Sequence, residues 1–383
     1  MSRLSIDTIY LKDTLAELLS IASPTGYTDT IVRAAVGELR RLGVPMEVTR
    51  RGAIRAKLAG KSSRGARAMI AHLDTLGAQV KRLKANGRLE LVPVGTWSSR
   101  FAEGARATVF TDRGAYRGTI LPLKASGHTF NDEVDTQPVA WDNVELRVDA
   151  LIKSEADLAR LGFAIGDLVA IDPQPEFMDN DFIVSRHLDD KAGVAVLFAT
   201  VEALLREKVA LPVDLFVIFS VSEEIGIGGA SVLTDDVASL ITVDNGTTAP
   251  GQASQEFGVT LGMADQSGPF DYHLTQKLVR LCEANEIRYQ KDVFKYYRSD
   301  SAAALQAGYD VRTALVTFGV DASHGYERIH LHALRSLAEL LTVYAQSPVE
   351  IARDREHLGS LAGFPSQPME DADVFPRPEK PLL

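Results

Sequence analysis

The 383-residue chain has room for two to three domains at roughly 150 residues each, and its 45% hydrophobic and 24% charged residues exclude wholesale disorder. Acidic residues number 51 and basic residues 41, a net charge of −10, which disfavours nucleic acid or an anionic membrane as the main partner. Cys282 is the single cysteine, so neither an intrachain disulfide nor a cysteine zinc cluster can form, and a cytoplasmic setting is expected.

The N-terminus interleaves acids with apolar residues, unlike a signal peptide. No apolar run reaches the ~18 residues that would read as a membrane span. Apolar spacing predicts helices over 7–21 and 28–42, separated by the breaker Ser23-Pro24-Thr25-Gly26. Short strands follow, the last being Ala68–Ala71, which runs straight into His72. From about 77 to 180, Gly and Pro punctuate short β-rich runs (89–94, 107–111, 118–123, 143–148, 168–171) with one helical patch over Ser154–Leu161. This texture predicts a small β-rich domain, 77–180, inserted into an α/β domain made of 1–76 and 181–350. Beyond it come a helix at 190–206, a buried strand over Val213–Phe219, a strand over Leu240–Val243, a helix at 271–286, strands near 289–294 and 311–317, and a long helix at 328–346. The alternation implies α/β architecture, a mixed central sheet sandwiched by helices. Five prolines among the last 24 residues mark 351–383 as a flexible Pro-rich tail.

Five places share a pattern: a hydrophobic run ends in a side chain able to bind metal. They are His72 with Asp74, the pair Asp189-Asp190, the pair Glu223-Glu224, Asp244, and His324. In open α/β sheets, ligands bind beyond the carboxyl ends of the strands, where residues distant in sequence converge. Singly, each place reads as a capped turn, a helix start or a solvated loop. Jointly they offer two nitrogens and three or more carboxylates, a donor set suited to a pair of divalent ions such as zinc, cobalt or manganese.

Over 23–345 the chain resembles the tetrahedral (TET-type) glutamyl or deblocking aminopeptidases. The stretches that carry the likeness are AHLDTLGAQVKRLKANGRLELVPVG (71–95), FAIGDLVAID (163–172), SRHLDDKAGVAVL (185–197), SVSEEIGIGGA (220–230), VDNGTTAPG (243–251), RSDSAAALQAG (298–308) and ASHGYE (322–327). The resemblance implies a phosphorylase/hydrolase-like two-metal peptidase core. It implies that His72 and Asp244 bind one ion, Glu224 and His324 the other, and Asp189 bridges both. Glu223 would be the general base, and Asp74 would fix the His72 tautomer. Apart from the resemblance, the directed contacts of a guanidinium make Arg298 a candidate for a substrate carboxylate or amide, the alternative being a surface arginine. Asp300 is a second candidate substrate contact and His128 of the insert a remote one, and His187 could line the site.

The neighbours of these residues depart from the family pattern. Lys191 replaces the usual Arg, Thr75 the usual Glu, and Tyr297-Arg298-Ser299-Asp300-Ser301 a Gly-Gly-Thr-Asp-Ala segment. The implied partners are a peptide or small amide substrate and further copies of the chain, paired through the insert and assembled into a dodecamer. Within the family the chain is most similar to a bacterial subgroup associated with the osmoprotectant N-acetylglutaminylglutamine amide. The competing readings are a two-metal amidohydrolase, deacylase or carboxypeptidase of the same fold and, from another class, a non-catalytic binding scaffold.

Overall fold

The computed structural model describes residues 2–234 and 236–368. Four parallel strands form the centre of a twelve-stranded mixed sheet, in the spatial order Leu215–Ser220, Ala66–His72, Val237–Thr248, Arg312–Asp321. Residues 66–72 and 215–220 are buried throughout, as strands covered on both faces must be. Antiparallel strands extend the sheet on either side, Ile54–Leu58 next to Leu215–Ser220 and Glu327–His330 next to Arg312–Asp321.

The helix Leu188–Arg206 is buried at every position from Leu188 to Val201. A helix apolar all round belongs between layers; this one lies between the sheet and the outer helices Thr8–Ser20 and Leu331–Gln346. Its first turn is irregular, with Asp189 and Asp190 outside helical φ/ψ. Both carboxylates therefore stand at the strand ends instead of continuing a helical face.

Between Gly77 and Ile171 six strands close into a barrel. Leu89, Leu91, Val109, Ile120, Leu146 and Val169 fill it as a hydrophobic cluster separate from the main core. Closure removes sheet edges that short strands would otherwise expose. The predicted helical patch is the helix Glu155–Leu161, capped by Ser154, whose hydroxyl accepts from the Asp157 amide.

Two expectations are corrected. The segment read as the start of a helix at 328 is first a strand, Glu327–His330, paired antiparallel with Phe182–Ser185; the helix begins at Leu331. The tail does not leave the domain at 351. Ile351 is buried, residues Ala352–Arg355 form a 3-10 turn, and Asp354 accepts from Arg312 Nε at 2.7 Å. Residues 369–383 of the predicted flexible tail lie outside the described residues.

Candidate metal centre

Sheet register brings the strand-end residues together. His72 pairs with Ser220, which places the Ser222-Glu223-Glu224 turn beside it. Thr242 pairs with Ile70, so Asp244, two residues on, stands level with His72. Asp189 comes from the irregular start of the buried helix, and His324 from the turn that follows Arg312–Asp321.

The two histidines are held alike. His72 Nδ1 donates to the carbonyl of Asp74 at 2.8 Å, and His324 Nδ1 to the carbonyl of Thr96, a barrel-domain residue, at 2.9 Å. Each imidazole thus turns Nε2 inward. His72 Nε2 is 3.0 Å from Asp189 Oδ1, and His324 Nε2 is 3.2 Å from Asp189 Oδ2. With Nδ1 donating, a neutral imidazole offers a lone pair at Nε2. In that neutral form the two lone pairs would repel the two oxygens of one carboxylate; a proton on each Nε2, or a cation between nitrogen and oxygen, removes the repulsion.

The remaining acids close around this axis. Glu224 Oε2 is 3.9 Å from His324 Nε2, and Glu223 Oε2 is 3.8 Å from His72 Nε2. Among the described residues, two overlapping sets offer ligand atoms all within 4.8 Å of one another: His72 with Asp189 and Glu224, and His72 with Asp190 and Asp244. Burial is the largest influence on these carboxyls and raises them, with neighbouring acids pushing further. Glu224 is raised to about 8, burial first and the Asp189 charge next, and Asp244 to about 7 for the same two reasons. Burial also favours the neutral form of Asp189, but the hydrogen bonds from His324 and His72 overcome it and hold that carboxyl low. Burial works against charge on His324 too, yet its bond to Asp189 and the charge of Glu224 raise it to about 10. A pocket so rich in carboxylates retains protons that cations would displace; the nitrogen and oxygen donors fit a pair of divalent ions.

Asp74 acts differently from the sequence expectation. Its backbone carbonyl, not its carboxylate, orients His72; the carboxylate oxygen nearest Nδ1 stands 3.7 Å away. That carboxylate accepts instead from the Glu223 amide at 3.1 Å, the Glu224 amide at 3.4 Å and the Thr25 hydroxyl at 2.6 Å. Asp74 therefore fixes the backbone of the glutamate pair.

Asp300 lies beneath the same turn, 1% exposed, accepting from Ser220 Oγ at 2.5 Å. A Cβ on Gly228 would meet its Oδ1 at 2.3 Å, and one on Gly229 its backbone oxygen at 2.3 Å, which is why two glycines follow the glutamates. Burial makes Asp300 a support of the loop instead of a substrate contact. Arg298 is exposed and donates to Gln306 Oε1 at 2.7 Å, and His128 is exposed on the short helix Gly127–Phe130 of the barrel domain. None of these three lines the cleft over Asp189 within one subunit. His187 does line it; its Nε2 bonds the Ile171 carbonyl at 3.0 Å, and burial lowers its pKa to about 3, so it is neutral. Trp97, Phe101 and Ile171 of the barrel domain form the cleft's apolar wall.

Two residues were not singled out by the sequence. Asn245 Nδ2 donates to Asp189 Oδ2 at 2.6 Å. Glu327, buried, accepts from the amides of Asp189 at 3.1 Å and His324 at 2.9 Å, tying together two segments of the site. The His324 backbone has φ +64°, the left-handed region a non-glycine residue seldom adopts; its bond to Glu327 holds it there. Adjacency to Asp244 was the one available signal for Asn245. Glu327 carried none beyond its place as the last residue of the ASHGYE stretch.

Known proteins resemble this chain in sequence and in fold. The sequence profile of the family described as M42 glutamyl aminopeptidase matches residues 52–340. A putative aminopeptidase of Bacillus subtilis, YhfE, is 38% identical over 336 residues, 88% of this chain and 97% of that one. The glutamyl aminopeptidase of Lactococcus lactis is 28% identical over 230 residues, 58% of this chain and 62% of that one. Among solved structures, a TET aminopeptidase from a marine sediment Thaumarchaeota archaeon superposes with a TM-score of 0.80 at 17% identity, over 89% of this chain and 97% of that one. The Pyrococcus horikoshii TET1 peptidase, which can assemble into a tetrahedron or a large octahedral shell, gives 0.76 at 20% identity, over 88% and 99% of the respective chains.

Proposed function

This chain belongs to the M42 glutamyl aminopeptidase family, and we propose that it removes N-terminal residues from short peptides with the help of two divalent ions. His72, Asp189 and Asp244 would hold one ion, and Asp189, Glu224 and His324 the other. The observation that carries this reading is the pair of Nε2 atoms aimed at opposite oxygens of Asp189. Zinc, cobalt or manganese all suit the donors. When bound, such ions acidify a water and polarise the scissile carbonyl.

The chain's own groups supply the rest. Glu223 has no role in orienting either histidine, and its backbone is fixed by Asp74. It would accept the water's proton and return it to the departing amine, the work of a general base turned acid. Burial is the largest influence raising its proton affinity, with the charges of Asp244 and Asp300 adding to it against that of His72. The Thr96 carbonyl links His324 to the barrel domain, residues 77–180. The likeness to a TET1 peptidase that can assemble into a tetrahedron supports self-association of this chain, and we assign the barrel domain as the pairing surface.

The test is hydrolysis of free dipeptides, their N-acetyl counterparts and N-acetylglutaminylglutamine amide by metal-loaded protein. Release of the N-terminal residue from free dipeptides, abolished by chelation, supports the reading. Cleavage restricted to N-acetyl substrates would replace it with a deacylase.

A further inference from the structure

Arg186 lines the cleft beside Asp189, His324 and Glu327, and its bonds are one-sided. Nη1 donates to the Asp172 carbonyl at 3.2 Å and to Gln174 Oε1 at 2.8 Å. The guanidinium lies 5.2 Å from the Tyr326 ring centroid, in cation–π range. Nε is buried without a hydrogen-bond partner, and among the described residues Nη2 has no hydrogen bond and no carboxylate comes within 4.0 Å of the group. The nearby Asp172 is taken by Arg117, whose Nη1 reaches its Oδ1 at 2.7 Å. By contrast, the half-buried Arg312 is paired with both Asp271 and Asp354.

Nε and Nη2 form the edge of a guanidinium that matches the two oxygens of a carboxylate. Leaving that edge unmatched in a partly desolvated wall carries a cost that an anionic ligand removes. The acids of the cleft do not serve: Asp189 is matched by two histidines and Asn245, and Glu327 by two backbone amides. Leu76, Trp97, Phe101 and Ile171 give the same cleft apolar walls, where a charged pair is stronger than in water.

We infer that Arg186 is a specificity-determining residue that binds a carboxylate of the substrate through its Nε–Nη2 edge, the guanidinium tilting from Tyr326 to complete the two-point contact. The inference deepens the peptidase reading and rests on it for the reaction, though not for the binding. The carboxylate comes either from an acidic N-terminal side chain or from the C-terminus of a dipeptide.

Two isosteric pairs separate these sources: Glu-Ala against Gln-Ala, and Ala-Ala against Ala-Ala amide. One pair should show at least a tenfold preference in kcat/KM for its carboxylate member. R186Q should reduce that ratio below about threefold, and R186K, which keeps the charge but loses the fork, should fall between. A merely structural arginine would lower both members together and leave the ratio intact. Calorimetric titration of metal-loaded protein with glutarate reads the same contact without turnover, with affinity at least tenfold weaker in R186Q. Equal rates within both pairs, a ratio that survives R186Q, or glutarate binding that is absent or indifferent to R186Q would overturn the inference. If no peptide is cleaved at all, the peptidase reading fails, and the glutarate titration still decides whether Arg186 reads a carboxylate.

Discussion

The two histidines of the centre do the same geometric task from different kinds of structure. His72 ends a buried central strand, is 1% exposed, and is oriented by a carbonyl two residues away in its own chain segment. His324 sits in a turn at positive φ, its side chain 31% exposed, and is oriented by a carbonyl of the barrel domain 228 residues distant. One half of the site is therefore built into the sheet. The other is assembled from a loop and a neighbouring domain, so its order depends on how the barrel is seated.

That contrast can be broken by substitution. Asp189→Ala removes the one carboxylate that both halves share and should abolish peptidase activity and release both ions, read by native mass spectrometry and rate assays; His72→Ala should abolish activity and release the ion on the sheet side. Glu223→Gln should keep both ions while turnover falls by about 10²–10⁴-fold, the usual worth of a positioned base; normal turnover would remove Glu223 from that role. His324→Ala should release one ion and keep the other, with chelator competition showing a single weakened site. Glu327→Gln, which loosens two backbone anchors at once, should weaken metal affinity by about 10–100-fold, as removal of supporting groups does, and more at the His324 side.

The pattern of legibility follows the same contrast. Local signals made three places readable: His72 and Glu223-Glu224 because they end or closely follow a buried strand, and Asp244 because it follows the apolar run Leu240–Val243, although its strand continues to Thr248. The supports were not, because they act across the chain. Glu327 serves Asp189 from 138 residues away, and Asn245 reaches the same carboxylate across 56. Asp300 is close in sequence to motif residues yet faces the underside of the glutamate turn, a direction the motif alone does not give. The barrel's strands were legible as short β runs, but closure is a property of pairing between first and last strands. Arg186 stood inside the quoted SRHLDD stretch without a distinguishing mark, since what sets it apart is the missing partner.

Protonation sharpens the comparison further, with a smaller effect. In metal-free protein the raised carboxyls of Glu224, at about 8, Asp244, at about 7, and Glu327, at about 8, remain protonated in the fold at pH 6. Burial is the first cause for all three. Because these folded values lie above the unfolded ones, the three groups remove stability as pH rises from about 4.5 toward 8. His324 has the usual sign for a raised histidine: its contribution is full below pH 6.5 and is lost as pH passes about 10. Metal binding must displace the carboxyl protons, so affinity should rise with pH. The gain in melting temperature on adding zinc should thus be larger at pH 8 than at pH 6; an equal or reversed gain would contradict the acidic cluster as the binding site.

Counting ions per chain in the wild type and in His324→Ala by native mass spectrometry tests the centre most directly. Two ions in the wild type and one in the variant are the expected result. A wild-type protein that takes up no ion from excess zinc or manganese, or a variant that still holds two, would contradict it.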